Sequence, residues 1–304
     1  MTYSIVARDK NTGELGVAVQ SRYFQVGPVV PWALAGVGAV ATQSRVNVSY
    51  GPLGLELLRA GNTPEQALKA LTSGDSQPEI RQCAIVDAAG MVAAHTGSKC
   101  IPKAGHALGD GFSCQANLME KDTVPAAMAA AFTATDAPLP ERLMAALEAA
   151  EAEGGDIRGK QSAAMLVVSG TPTGRSWEDR IIDLRVEDAE DPLVELRRLL
   201  RLKRAYQTSV EADRLTAAGD LVGAAAKRRE GIAIAPEIVD LRFWAGLTMA
   251  EAGDLDGGCQ LIAEAVRRDR RWQETLQRLV TVDRLSNELA TAIEARLAAV
   301  APRL

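Results

Sequence analysis

The chain has 304 residues, 47% of them hydrophobic, enough to bury a sizeable core and to build two domains. Its formal net charge of -5 argues against a nucleic-acid protein, whose domains carry a clear excess of Lys and Arg. No charged leader precedes an apolar stretch and no apolar run reaches the roughly 18 residues that span a bilayer, so a cytoplasmic protein engaging no membrane is expected.

The opening residues 2–7 and 15–20 are β-prone runs separated by the polar, Gly-containing cluster at 9–14, which predicts an N-terminal hairpin. Residues 36–43 (GVGAVATQ) form a third predicted strand, with glycines that suggest a second backbone passing close by. Helices are predicted at 50–59 and 63–71. The second has Thr63 to cap it, Pro64 at the first position and Gln66 to complete a capping box.

Strands resume at 82–87, 91–96 and 112–118. Two Ala-rich helices at 125–132 and 139–153 end at Gly154-Gly155, and a last hairpin joins 162–168 to 181–186. Hairpins interrupted by helix pairs suit an α+β domain with antiparallel sheets better than a doubly wound parallel one, and a four-layer αββα sandwich satisfies the order.

After Asp188-Ala189-Glu190-Asp191-Pro192 the pattern becomes helical to the end, so the predicted domains are 1–190 and 191–304. Ala218-Gly219-Asp220-Leu221 recurs as Ala252-Gly253-Asp254-Leu255 at the 34-residue period of a tetratricopeptide helix pair. Ala225 and Cys259 are then equivalent small positions. Two recurrences are fewer than a free-standing solenoid needs, which makes packing on another surface, including homo-oligomerisation, the expectation. The basic run 197–204 has leucines at helical spacing and reads as an amphipathic helix with a solvated cationic face.

Chemistry is sparsely supplied. Cys83, Cys100, Cys114 and Cys259 make no C-x-x-C pair, so they read as reduced, buried thiols rather than a zinc or redox motif. With only His95 and His106 in the chain, neither a metal cage nor a Ser-His-Asp triad is expected, and no cofactor or metal is called for. Thr2 needs no histidine. Once Met1 is removed, its α-amine, with a reference pKa of about 7.7 to 8.0, can take the proton from its own hydroxyl. A small second residue is common in proteins, so the position acquires meaning only from the strand and hairpin that follow it.

The stretch TYSIVARDKNTGELGVAVQSRYFQVGPVVPWALAGVGAVATQ resembles the opening of a bacterial branch of the N-terminal-nucleophile (Ntn) hydrolase superfamily catalogued as domain of unknown function 1028. The resemblance continues through SYGPLGLELLRAG, QCAIVDAAG, HTGSKC, SCQANLM and GGDIRGKQSAAMLVV, covering about 2–190. It extends through DPLVELRRLL and the AGDL repeats into a tail labelled peptidoglycan-binding in relatives. It implies a nucleophile exposed by Met removal or autoprocessing and cofactor-free hydrolysis of a C–N bond, and it implies no substrate. Relatives tend to have Gly between the Gln and Asn of the QAN segment; Ala116 here weighs against a backbone oxyanion donor at that spot.

By that resemblance the nucleophile is Thr2. Ser4, on the same strand face, is the rival and otherwise orients Thr2. Predicted strand ends bring up Ser21 and Arg22, Gln43 and Ser44, and Gln115 and Asn117. Arg22 either depresses the α-amine pKa or binds a substrate carboxylate, against the plainer reading of a solvated arginine. Gln43 or Asn117 can donate to an oxyanion, against the reading of satisfied buried amides. Ser21, Ser44, Gln115 and His95 are candidate substrate contacts, His95 having a structural reading as well. The expected function is cleavage of a small amide or peptide-like substrate through Thr2. The alternative is a catalytically silent ligand-binding or assembly scaffold with a partner-binding tail.

Overall fold

The structure is a computed structural model that describes residues 2–300. It divides into two compact units between Leu199 and Leu200.

The first unit is a mixed α/β structure with two antiparallel sheets. The larger contains β1 (Thr2–Arg8), β2 (Leu15–Ser21), β7 (Gly105–Gly109), β8 (Phe112–Asn117), β9 (Ser162–Val168) and β10 (Arg180–Val186) in the order β10-β9-β2-β1-β8-β7. The smaller contains β3 (Pro31–Leu34), β4 (Gly38–Ser44), β5 (Arg81–Asp87) and β6 (Val92–Thr96) in chain order. β1 and β2 form the expected hairpin. Its turn is closed by Asp9 Oδ1, which accepts from the backbone N–H groups of Asn11 and Thr12 at 2.8 and 2.9 Å, and by Gly13 at φ +74°.

The sheets face each other across an apolar layer that includes Val6, Val17, Val19, Ala39, Ala41, Ala84, Val86 and Leu166. On the outer face of the small sheet lie α1 (Tyr50–Arg59) and α2 (Pro64–Ser73), which bury Leu55, Leu58, Leu68 and Leu71 against Val40 and Ile85. On the outer face of the large sheet lie α3 (Val124–Ala134) and α4 (Leu139–Ala152), with Met128, Phe132, Leu143 and Leu147 fully buried. β1 and β2, covered on both faces, are buried along almost their whole length. The unit also contains the four-residue helix α5 (Ser176–Asp179). At α2 the capping box is complete: Thr63 Oγ1 accepts from Gln66 N at 3.2 Å and Gln66 Oε1 from Thr63 N at 2.9 Å.

Two strands were not foreseen. β3 (PWAL) starts with proline and β7 (GHALG) is bounded by glycines, so neither carries a β-branched alternating pattern; both are edge strands formed by pairing with a stronger neighbour. The expected strand at 36–43 starts at Gly38 instead, because Gly36 at φ +68° belongs to the turn after β3. The close approach expected there is real: a Cβ on Gly38 would lie 2.6 Å from the Val86 carbonyl oxygen.

The helical C-terminal region runs through α6 (Pro192–Ala217), α7 (Leu221–Ile234), α8 (Val239–Glu251), α9 (Leu255–Arg268), α10 (Arg271–Thr281) and α11 (Asn287–Val300). The two AGDL segments have the same local structure. Gly219 and Gly253 take φ +83° and +95°, and Asp220 and Asp254 cap α7 and α9 by accepting from Gly223 N and Gly257 N at 2.8 and 3.0 Å. α8 and α9 approach closely because Gly246 faces Gly258, and Phe243, Ile262, Leu276 and Ile293 fill the core beside them.

Candidate functional site

Along the inward faces of the two sheets the side chains change character toward one end. β1 presents Val6, then Ser4 and Thr2; β2 presents Val17 and Val19, then Ser21; β4 presents Ala39 and Ala41, then Gln43; β5 presents Val86 and Ala84, then Gln82. On β8 the inward positions Ser113, Gln115 and Asn117 are all polar and all buried. Antiparallel register aligns these ends, setting Thr2 opposite both Ser21 and Asn117, Ser4 opposite Gln115, and Gln43 opposite Gln82.

The result is a continuous hydrogen-bonded chain between the sheets. Ser113 Oγ donates to Gln115 Oε1 at 2.9 Å, Gln115 Nε2 to Ser4 Oγ at 2.6 Å, Ser4 Oγ to Gln43 Oε1 at 2.6 Å, and Gln43 Nε2 to Gln82 Oε1 at 2.7 Å. Gln82 Nε2 then donates to Thr96 Oγ1 at 3.0 Å and to the carbonyls of Gly105 and Ala116 at 3.1 and 2.9 Å. Thr96 Oγ1 lies 2.9 Å from His106 Nδ1, whose pKa is pushed down by burial and by the nearby His95. Each member polarises the next, and a low-dielectric surrounding makes every bond costly to break.

Thr2 sits at one margin of this network, 5% exposed, with Oγ1 2.9 Å from Ser21 Oγ. Its carbonyl oxygen accepts from Gln43 Nε2 at 3.3 Å and from Asn117 Nδ2 at 3.4 Å. Asn117 Nδ2 also donates to Gln82 Oε1 at 2.7 Å, while Asn117 Oδ1 is buried without a partner among the described residues. The strands that carry Gln43 and Asn117 both end in left-handed backbone at residues other than glycine, Ser44 at φ +70° and Leu118 at φ +58°, a conformation that costs about 1–2 kcal/mol and recurs at functional sites. Met1 lies outside the described residues.

Thr2, Ser4, Ser21, Gln43, Gln115 and Asn117 are therefore brought together, and three other candidates are not part of the network. Arg22 is exposed and its Nη1 donates to the Lys160 carbonyl at 2.7 Å. His95 Nε2 lies 2.8 Å from the Pro78 carbonyl, which ties the ring to the loop before β5. Ser44 is half-buried beyond the strand end, and its backbone rather than its side chain is distinctive. Ala116 lies within β8, paired with Tyr3 and Gly105, and its carbonyl receives Gln82.

Gln82 is the residue sequence reasoning missed. Its only signal was its place at the start of a predicted strand, two residues from an inward alanine. Thr96 and Ser113 gave still less. On the opposite face of β1, Tyr3 donates to Glu151 Oε2 at 2.7 Å, and burial followed by the Glu151 charge holds its pKa well above the usual tyrosine value. Burial likewise raises the thiols of Cys83 and Cys114, and all four cysteines are free and buried. Among the described residues no group of three or more His, Cys, Asp and Glu side chains could hold a metal ion, and no helix is long and apolar enough to cross a membrane.

No curated protein matches the chain. Among solved structures it is similar to the crystal structure of protein SPO2555 from Silicibacter pomeroyi, a DUF1028 protein, at 34% identity and a TM-score of 0.60, with 66% of this chain and 84% of that one covered. The family model described as "Family of unknown function (DUF1028)" matches residues 2–196, the whole of the two-sheet unit from its first strand into α6. The chain belongs to the DUF1028 family.

Proposed function

We propose that the first unit is an αββα sandwich of the Ntn type and hydrolyses a small amide or peptide-like C–N bond through Thr2. The observation that carries this reading is the placement of Thr2: it opens β1 at the polar margin between two facing sheets, hydroxyl to hydroxyl with Ser21 and with its carbonyl held by two side-chain amides. After Met1 removal the free α-amine accepts the proton from Oγ1 as Oγ1 attacks the substrate carbonyl; the proton passes to the departing amine, and water activated by the same α-amine then cleaves the ester. Asn117 Oδ1, the open acceptor on the carboxamide beside the Thr2 carbonyl, is available to the α-ammonium group or to a substrate N–H. Ser4 is held at 2.6 Å on both sides and supports this assembly rather than competing as nucleophile.

A second reading, a catalytically silent scaffold, draws on one observation: Thr2 is buried, with its hydroxyl already 2.9 Å from Ser21 Oγ. Under either reading the helical region, with its two repeats, is a tetratricopeptide-like module suited to self-association. The deciding experiment is intact mass and N-terminal sequencing on chain expressed without an N-terminal tag, followed by a β-lactone acylating probe. A chain starting at Thr2 that gains one probe, lost in Thr2→Ala, supports the hydrolase. A chain that retains Met1, or starts at Thr2 and stays inert, favours the scaffold.

A further inference from the structure

At the other end of β1, about 20 Å from Thr2 at 3.3 Å per residue, a separate cavity of about 720 Å³ opens between the β7–β8 hairpin, the 88–90 turn and α3. Its charged lining is one-sided: Arg8, Lys10 and Arg142 against Asp110 alone. Asp110 is exposed, and the two other nearby carboxylates are engaged elsewhere. Asp9 is bound to the Asn11 and Thr12 N–H groups and to Arg142 at 3.4 Å, and Asp87 Oδ1 is bound to the N–H groups of Ala89 and Met91.

Arg8 is the unusual member. It is half-buried, its Nε is shut away from solvent without a partner, and its guanidinium makes no hydrogen bond or ion pair with any described residue. A buried N–H left unpaired is costly, and the guanidinium's remaining donors, a planar fork open to the cavity, are suited to a carboxylate or phosphate. Lys10 is exposed at the rim and also unpaired among the described residues. Arg142 is held in place by the ring of Phe132, 4.0 Å from its guanidinium carbon, and by the Phe132 carbonyl at 3.3 Å.

Apart from Thr133, the remaining side chains of the wall are apolar. Phe112 closes over Gly109, where a Cβ would strike the ring at 2.2 Å, and Ala130 presents only a methyl group from α3. A cavity of this volume with a few convergent polar groups and an apolar wall has the form of a small-molecule site. We infer that this cavity binds a small organic oxyanion, a carboxylate or phosphate head on a short apolar body, with Arg8 as its principal ligand. The site is independent of the chemistry proposed at Thr2.

Isothermal titration calorimetry of the full chain with phenyl phosphate, benzoate and inorganic phosphate tests this. One saturable site per chain is expected for phenyl phosphate or benzoate, the tighter of the two identifying the head group, with inorganic phosphate weaker for want of the apolar body. Arg8→Met, which keeps the stem, should weaken binding about tenfold or more by removing charge-assisted bonds, and Thr2→Ala should leave it unchanged. Lys10→Glu, at an exposed position, should weaken binding as well and provides the test if Arg8→Met fails to fold. No saturable heat with any probe, an unchanged constant in both charge variants, inorganic phosphate binding as tightly as phenyl phosphate, or loss of binding in Thr2→Ala would each overturn the assignment.

Discussion

Replacing Gln82 by Met, which keeps the length of the side chain and removes its amide, should destabilise the first unit by about 3 kcal/mol. The estimate follows from what each partner retains. The Gln82 side chain takes part in five hydrogen bonds. Thr96 Oγ1 keeps His106 Nδ1 as a partner, and the Gly105 and Ala116 carbonyls each lose only an additional donor, so these three cost little. The amides of Gln43 and Asn117 lose their 2.7 Å acceptor and are left with bonds of 3.3 to 3.4 Å. A buried donor deprived of its partner costs about 1–3 kcal/mol, and two of them near the middle of that range give the figure above. Urea unfolding of wild type and variant at pH 7 measures it, and a cycle with Asn117→Ala should show coupling above about 0.5 kcal/mol, because the two side chains share one bond. A loss below about 1 kcal/mol with an unchanged denaturant slope would show that the network relaxes around the vacancy, and the reasoning would be refuted.

Asp75, whose carboxyl is held well below the usual range first by Arg81, then by the Gln77 N–H and then by Asn47 and Tyr50, contributes stability above its unfolded pKa that disappears as pH falls through the folded value. Asp75→Asn should therefore lower the urea midpoint at pH 7 and flatten the acid dependence below about pH 4. Tyr3 behaves in the opposite sense: its raised pKa contributes stability below about pH 10 that is lost as pH rises further, so Tyr3→Phe should cost about 1 kcal/mol at pH 7 and reduce the alkaline loss in thermal melts. Thr63→Ala removes one half of the capping box on α2 and should cost about 1 kcal/mol by the same unfolding assay. Gly38→Ala would place a methyl group against the Val86 carbonyl and the Leu58 side chain, for a loss of about 1–3 kcal/mol, and an unchanged midpoint would argue that β4 and β5 can separate freely.

Sequence alone determined what depends on near neighbours. The Asp9-to-Gly13 turn, the Thr63–Gln66 capping box, the glycine-ended helices of the two AGDL segments and the strong strands around them are each specified by residues within one turn of one another, and each was legible. The polar residues at the strand ends were legible one by one, since Thr2, Ser4, Gln43, Gln115 and Asn117 interrupt runs of small and apolar side chains. Their joining was not. Gln82 is linked to Asn117 and Gln43 across 35 and 39 positions of chain, Arg22 finds a carbonyl 138 positions away, and the edge strands β3 and β7 exist because a paired neighbour satisfies their backbone. Sheet register and the facing of two sheets decided those links, because hydrogen bonds between distant residues form only where packing of the whole core brings their strands into line, and no local run of residues encodes that alignment.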